Sequence, residues 1–336
     1  MSRLDDIIEL IQTTNEVYFI TAPGRVRTAY ILIDDIIELS LKIFLQEKAY
    51  EQRINCQRDL ENARLVTTEK HLVKAGTLRD NLRRYFEEKL NIEELSNNLK
   101  LGTGGISILQ GYFASYPLIR HWSANDPNSR KTFDKVIDDV KPFFALPTTA
   151  PVGTPPNPAT SLLDEALIRH KTRNKFYHDQ NLSGLDINDE KCLSALCAMF
   201  DLVEHLFPTF SDEVKRKHTV RCQIGVLRLK QTASLGHREL SQPYEAALKL
   251  LKKGHKYDFE SRSVEHSLVH TVSDRFFDSL REQFKNKIAK LQVRINKIDN
   301  MKRPRQDHID EKNDTEKLIQ ILQKQLDQIN ALLGTS

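Results

Sequence analysis

SLLDEALIRHKTRNKFYHD, residues 161–179, is the stretch on which the reading of this 336-residue chain turns. Ser161 is placed to cap a helix, with Asp164 three residues on. Pro158, just upstream, suits the entry. Leu163, Ala166, Leu167 and His170 then repeat at helical spacing on one stripe. The stripe continues but its chemistry changes, to His170, Arg173, Asn174 and Tyr177. A buried polar group without a partner costs about 1–3 kcal/mol, so this stripe has to find partners. Arg173 and His178 are five residues apart, roughly 140° around an ideal helix. Either the helix ends near Tyr177, or the two groups meet their counterparts across a symmetry axis. Asn181 and Gly184 follow soon after and fit an end there.

Working outward, the strongest companion is RVRTAYILIDDIIELSLKIFLQEK, residues 25–48. Ala29, Leu32, Ile33, Ile36, Ile37, Leu41, Phe44 and Leu45 give it a broad apolar face, the mark of a helix buried against several neighbours. Asp34, Asp35 and Glu38 lie inside it. One reading makes them carboxylates for a metal or for orienting a catalytic residue. The other is a solvated face with a Glu38–Lys42 pair at i,i+4, worth ~0.2–0.5 kcal/mol. Asp35 fits the solvated reading.

Arg173-Asn174-Lys175-Phe176-Tyr177-His178 resembles the Arg-polar-x3-His signature of the HEPN superfamily, α-helical domains common in prokaryotic defence and toxin systems. Asn174 stands where that family carries a polar residue. AYILIDDIIELSLK, residues 29–42, also looks like the N-terminal core helix of HEPN domains, where an acidic residue can lie near the active cleft. The resemblance covers residues 25–48 and 161–207. It implies a metal-independent endoribonuclease acting on RNA, with no cofactor and no metal. Two protomers would bring both copies of the motif to one cleft, so a homodimer is implied. Arg173, His178 and Asn174 become the catalytic candidates, with Glu38, Asp34, Lys175, Tyr177 and His170 in support. Some members carry a tyrosine two residues after the motif histidine, where a partner enzyme modifies it. Gln180 stands there in this chain, which argues against control by that route.

Composition bounds the rest. Hydrophobic residues make up 39% and charged residues 29%, as in a helical protein free of the membrane. No apolar run approaches the roughly 20 residues needed to span a bilayer. MSRLDDIIELI, residues 1–11, is acidic and amphipathic, unlike a signal peptide, so a cytoplasmic location is expected. Cys56, Cys192, Cys197 and Cys222 form no Cys-x2-Cys pair, and Cys192 and Cys197 read as small core hydrophobes. Ser211–Arg305 carries 22 Lys/Arg against 11 Asp/Glu, a basic half compatible with polyanion binding.

The expected architecture is mainly all-α. A HEPN-like helical domain spans 1–210, with an elaboration at 50–160 that includes a proline-rich loop at 146–160. A basic, mostly helical region spans 211–336. Further expectations are a short helix over Arg3–Thr13 and helices at 130–144, 189–207 and 241–253. Turns are expected at Gly102-Thr103-Gly104-Gly105 and Asp126-Pro127-Asn128. Thr219–Lys230 alternates enough to be a strand or a buried helix. His266 and His270 are i,i+4, without a third ligand close in sequence. Phe277, Phe284, Leu291 and Ile298 recur every seven residues. A polar break is expected at Met301–Thr315, and a 3/4 spacing resumes from Leu318 to Leu333. Residues 274–334 therefore read as an antiparallel hairpin or short coiled coil for association with a partner or with itself. Two other functions fit the residues: a non-catalytic helical adaptor binding nucleic acid or protein, and a metal nuclease built on Asp34, Glu38 and a histidine.

Overall fold

No glycine or proline interrupts residues 25–62, and in a computed structural model they form one 38-residue helix. The structure describes residues 3–63, 75–102, 104–120, 122, 131–145, 157–178, 187–235, 242, 245, 274–301 and 303–333. Side chains at 75–77, 176–178, 274–276, 279 and 331–333 are outside that description. The expected helix at 241–253 apart from Gln242 and Glu245, the turn at 126–128, most of the proline-rich loop, and His266 with His270 lie outside the described residues.

In chain order the helices are α1 (Arg3–Phe19), α2 (Arg25–Asn62), α3 (Ala75–Phe86), α4 (Ile92–Asn98), α5 (Gly105–Ala114), α6 (Phe133–Val140), α7 (Pro158–His178), α8 (Asp189–Leu206), α9 (Phe210–Arg216), α10 (His218–Ser234), α11 (Asp274–Asp299) and α12 (Gln306–Leu333). A 3-10 turn covers Lys141–Phe143. The fold is all-α, and the described residues contain no strand. Among them, no single helix is long and apolar enough to cross a membrane.

The chain divides into two compact units, residues 1–37 with 155–336, and residues 38–154. The stretches on both sides of residue 210 therefore belong to one unit. The expected elaboration at 50–160 falls mostly in the other.

In the first unit α8 is the central element, packed against α7, α9 and α10. Cys192, Leu196, Met199, Phe200 and Val203 on α8 are buried. Burial pushes the Cys192 and Cys197 thiols up to about 12, as suits packed hydrophobes rather than nucleophiles. α1 runs past its expected end at Thr13. Its polar continuation is buried and paired: Thr14 Oγ1 donates to Leu10 O (2.9 Å), and Asn15 Nδ2 donates to Gln223 Oε1 on α10 (3.2 Å). α10 settles the strand-or-helix question at 219–230. Val220, Cys222, Ile224 and Val226 alternate only because nearly every residue from Cys222 to Leu229 is buried.

Asp189, the first residue of α8, anchors three other segments. It accepts hydrogen bonds from Tyr18 Oη (3.0 Å) and Arg25 Nη2 (2.9 Å), and Lys230 Nζ lies 3.0 Å away. Those partners, against the opposing cost of burial, hold its carboxyl below the ordinary carboxylate range. A depressed folded pKa adds stability that is complete above the unfolded value and lost as pH falls through the folded one. Melting curves between pH 2 and 7 are therefore expected to show an acid limb that Asp189→Asn flattens. An unchanged limb in that variant would assign the acid sensitivity elsewhere.

α11 and α12 form the expected hairpin. Phe277, Leu280, Phe284, Leu291, Ile295 and Ile298 face inward from α11, as do Leu318, Leu322, Leu326 and Ile329 from α12. Arg294–Glu311 and Lys312–Asp299, each 2.5 Å, set the antiparallel register. The break is shorter than the expected 301–315, because α12 begins at Gln306. Its polar first turns are a solvated helix, supported by Gln306 Nε2 donating to Asp310 Oδ1 (2.9 Å).

The second unit gathers Cys56 and Leu60 of α2 with Leu78, Leu82, Tyr85 and Phe86 of α3, Leu95 of α4 and Leu109 of α5. The expected helix at 130–144 is α6 plus the 3-10 turn. Trp122 is buried and donates to Asp139 Oδ2 (3.1 Å), a core role. Two glycines carry the α4–α5 connection. Gly102 has φ +69°. A Cβ on Gly105 would come within 2.4 Å of Leu101 Cβ.

Candidate active site

α7 starts earlier than Ser161. Asn157 Oδ1 accepts from Ala159 N (3.0 Å), and Pro158 takes the first helical position, where its missing N–H costs nothing. Ser161 is exposed and donates instead to Pro158 O (3.0 Å). It is not the cap, and Asp164, also exposed, closes no capping box. The buried stripe of α7 is Ala159, Leu163 and Ala166, followed by Arg169 and the flanking His170 and Arg173. The expected shift from apolar to polar is present, and its partners lie on α2.

Asp34, one of the most buried carboxylates at 1% exposure, receives His170 Nδ1 at 2.9 Å. His170 Nε2 meets Asn174 Nδ2 at 3.0 Å, and Asn174 Oδ1 accepts from Arg173 Nη1 at 3.3 Å. Arg173 Nη2 donates to Asp35 Oδ1 at 2.6 Å, and Arg173 Nε lies 3.6 Å from Asp34 Oδ2. The directions follow from arginine, which can only donate. Arg173 turns the Asn174 oxygen toward itself, so the Asn174 amide donates to Nε2 and the His170 proton sits on Nδ1, facing Asp34. One chain of hydrogen bonds thus fixes the His170 tautomer and the Arg173 fork together.

Asp34 sits under opposing forces. Burial raises its pKa, His170 and then Arg173 lower it, and Asp35 raises it again; the net direction is upward. Its Oδ1 is buried without a hydrogen-bond partner among the described residues.

The structure brings Asp34 and His170, expected in support, together with Arg173 and Asn174, expected to be catalytic. It also brings in Asp35, which the sequence reading assigned to a solvated face. Asp35 is exposed, as that reading has it, and it also accepts from Arg173 Nη2 at 2.6 Å. Glu38 is taken up by Lys42 (2.6 Å), the ordinary i,i+4 pair. Lys175 is exposed. α7 continues unbroken to His178, its last residue. His178 follows His170 and Asn174 at steps of four, one turn beyond Asn174 on the same row; the side chains of Tyr177 and His178 lie outside the described residues. Among the described residues no group of three His, Cys, Asp or Glu is arranged to hold a metal.

Two residues of the cluster escaped the sequence reading. Tyr30 is buried one turn before Asp34, and Arg169 is buried one turn before Arg173. The available signal was the repeat of i,i+4 pairs, Tyr30/Asp34 on one helix and Arg169/Arg173 beside His170/Asn174 on the other. Compared with models of protein families, with curated proteins and with solved structures, the chain matches none of them.

Proposed function

We propose that this chain is a metal-independent endoribonuclease of the HEPN type, cutting RNA at a cleft shared by two copies of the chain. The observation that supports the reading most is Arg173. Its guanidinium is held near the end of α7 by Asp34, Asp35 and Asn174, five residues before His178. RNA carries its own nucleophile. The 2′-oxygen attacks phosphorus and the bond to the 5′-oxygen breaks, leaving a 2′,3′-cyclic phosphate and a 5′-hydroxyl. One group must take the 2′ proton and another must protonate the leaving oxygen. Histidine suits both tasks near neutral pH. One His178 supplies one such group, and a two-fold pair supplies two. The planar Arg173 fork suits the charge building on the phosphoryl oxygens, with Asn174 positioning the fork.

A second reading, a non-catalytic helical binding protein, draws on the same network, because satisfying buried polar groups is all a structural role requires. A cleavage assay separates the two. Purified full-length chain is incubated with labelled RNA in excess chelator, beside His178→Ala. The wild type is expected to release fragments ending in cyclic phosphate, and the variant to cut on the order of 10²–10⁴ times more slowly. Equal cutting by both would remove His178 from the chemistry. No cutting by either would favour the binding protein. Cutting that the chelator abolishes would point to a metal nuclease.

A further inference from the structure

Residues 283–306, the second half of α11 and the turn after it, carry eight Lys or Arg against one acidic residue, Asp299. The first turns of α12 reverse this: residues 307–316 hold five carboxylates and one lysine. Folding the two helices together uses only part of the charge. Arg294 takes Glu311 and Lys312 takes Asp299, each at 2.5 Å, while Lys312–Glu316 and Lys317–Asp314 lie within α12. Lys290, Lys297, Arg303 and Arg305 are exposed and belong to none of these pairs. Lys290 and Lys297 stand two turns and roughly 10 Å apart on one row of the helix. Arg294 lies between them, and the two arginines of the turn lie beyond.

The place of this charge in the fold adds to it. Among the described residues α11 packs on α12, and α12 packs in turn on α9 and α10, so α11 is the outer helix of the hairpin. Lys324, which reaches Asp201 of α8, is roughly 27 Å along the axis of α12 from Gln306. The turn with Arg303 and Arg305 is thus at the far end of the hairpin from that anchor. The face also decides between partners. Between residues 285 and 300 its exposed uncharged side chains are Asn286, Ala289, Gln292, Val293, Asn296 and Asn300. Val293 is the one sizeable apolar group among them. A protein partner needs an apolar core to its interface, and this face offers none. Lysine, arginine and amide side chains are the ones that hold phosphate and sugar.

We infer that the outer face of α11 and the turn after it form a binding surface for the phosphate backbone of RNA, outside the candidate active site. The choice of RNA as the polyanion rests on the nuclease reading above; the charge pattern does not. The acidic first turns of α12 repel the same backbone and confine it to the α11 side. Contacts to phosphate carry no sequence information, so the surface concentrates RNA at the chain without selecting it.

Binding of the full chain to a short labelled strand of 2′-O-methyl RNA, which has no 2′-hydroxyl to attack with, is measured by fluorescence anisotropy in chelator over a range of salt. The variant combines Lys290→Gln, Lys297→Gln, Arg303→Gln and Arg305→Gln. A charge-matched control combines Arg79→Gln, Arg83→Gln, Lys89→Gln and Lys135→Gln, exposed cations of the other unit. The variant is expected to bind on the order of 10²-fold more weakly at about 0.1 M salt, with its slope of log affinity against log salt shallower by about 3. The control should stay close to wild type. A wild type that does not bind, a variant that binds as wild type does, or a control that loses as much would each overturn the inference. Sedimentation of the same proteins without RNA covers the other occupant: unchanged RNA affinity with a smaller assembly in the variant would assign the face to a second copy of the chain. If the fourfold variant does not fold, the pairs Lys290→Gln/Lys297→Gln and Arg303→Gln/Arg305→Gln decide, each expected to flatten the slope by about 1.4. A chain that binds but never cuts unmodified RNA would overturn the nuclease reading and leave this surface standing. One that cuts RNA while the variant binds as tightly as wild type would do the reverse.

Discussion

Arg173→Ala is expected to lower RNA cleavage on the order of 10³-fold, with little loss of stability. The activity loss follows from removing a preorganised cation aimed at charge that develops in the transition state. The small stability loss follows from the partners left behind. Asp35 is half exposed and regains water, and Asp34 keeps His170 at 2.9 Å. Arg173→Lys should stay on the order of 10²-fold below wild type, although it restores the charge. In the structure one fork serves three partners at once: Nε toward Asp34, Nη1 on Asn174 and Nη2 on Asp35. A lysine ammonium is a single point on a flexible stem and cannot hold Asn174 and a phosphate in one plane. Initial rates of cyclic-phosphate formation, with melting curves as the folding control, decide the matter. Full activity in Arg173→Lys would show that charge alone suffices and that the fork geometry plays no part.

The all-α class was legible because apolar spacing on residues 25–48, 189–207 and 274–298 is helical and leaves few alternatives. What escaped was polar burial. Thr14 and Asn15 looked like the end of α1, yet they bond to Leu10 O and Gln223 and the helix goes on. Asp35 is exposed as read, but its partner, Arg173, is 138 residues away in sequence, beyond what i,i+4 pairing within one helix can point to. Arg169 was passed over because a basic residue on an otherwise apolar stripe reads as the edge of a solvated face, yet it is buried. Spacing reports which residues share a face. It does not report which polar groups on two distant faces will be pressed together, and the candidate site is made of such groups.

The same logic gives the largest stability effect away from the site. Asp201→Ala is expected to cost about 3–5 kcal/mol, because it strands Arg228. Arg228 is almost fully buried on α10, with Nη1 on Asp201 Oδ1 of α8 at 2.7 Å and its guanidinium over the Phe200 ring at 5.9 Å. The remaining carboxylate, Glu204, has its Oε2 3.9 Å from Nη2, while its Oε1 accepts from Ser211 Oγ. Lys324 of α12 lies 3.8 Å from Asp201 Oδ2, so the loss should also loosen the hairpin where α12 meets α8. Two controls identify the cause. Replacing both partners, Asp201→Leu with Arg228→Met, should recover most of the loss, since a buried ion pair exchanged for apolar groups of similar size is often neutral. The penalty should also persist in high salt, which screens exposed pairs such as Arg294–Glu311 but reaches a buried one far less. Denaturant midpoints for the single and double variants at two ionic strengths measure both effects. A double variant no better than Asp201→Ala would mean that lost packing, not a stranded charge, carries the cost.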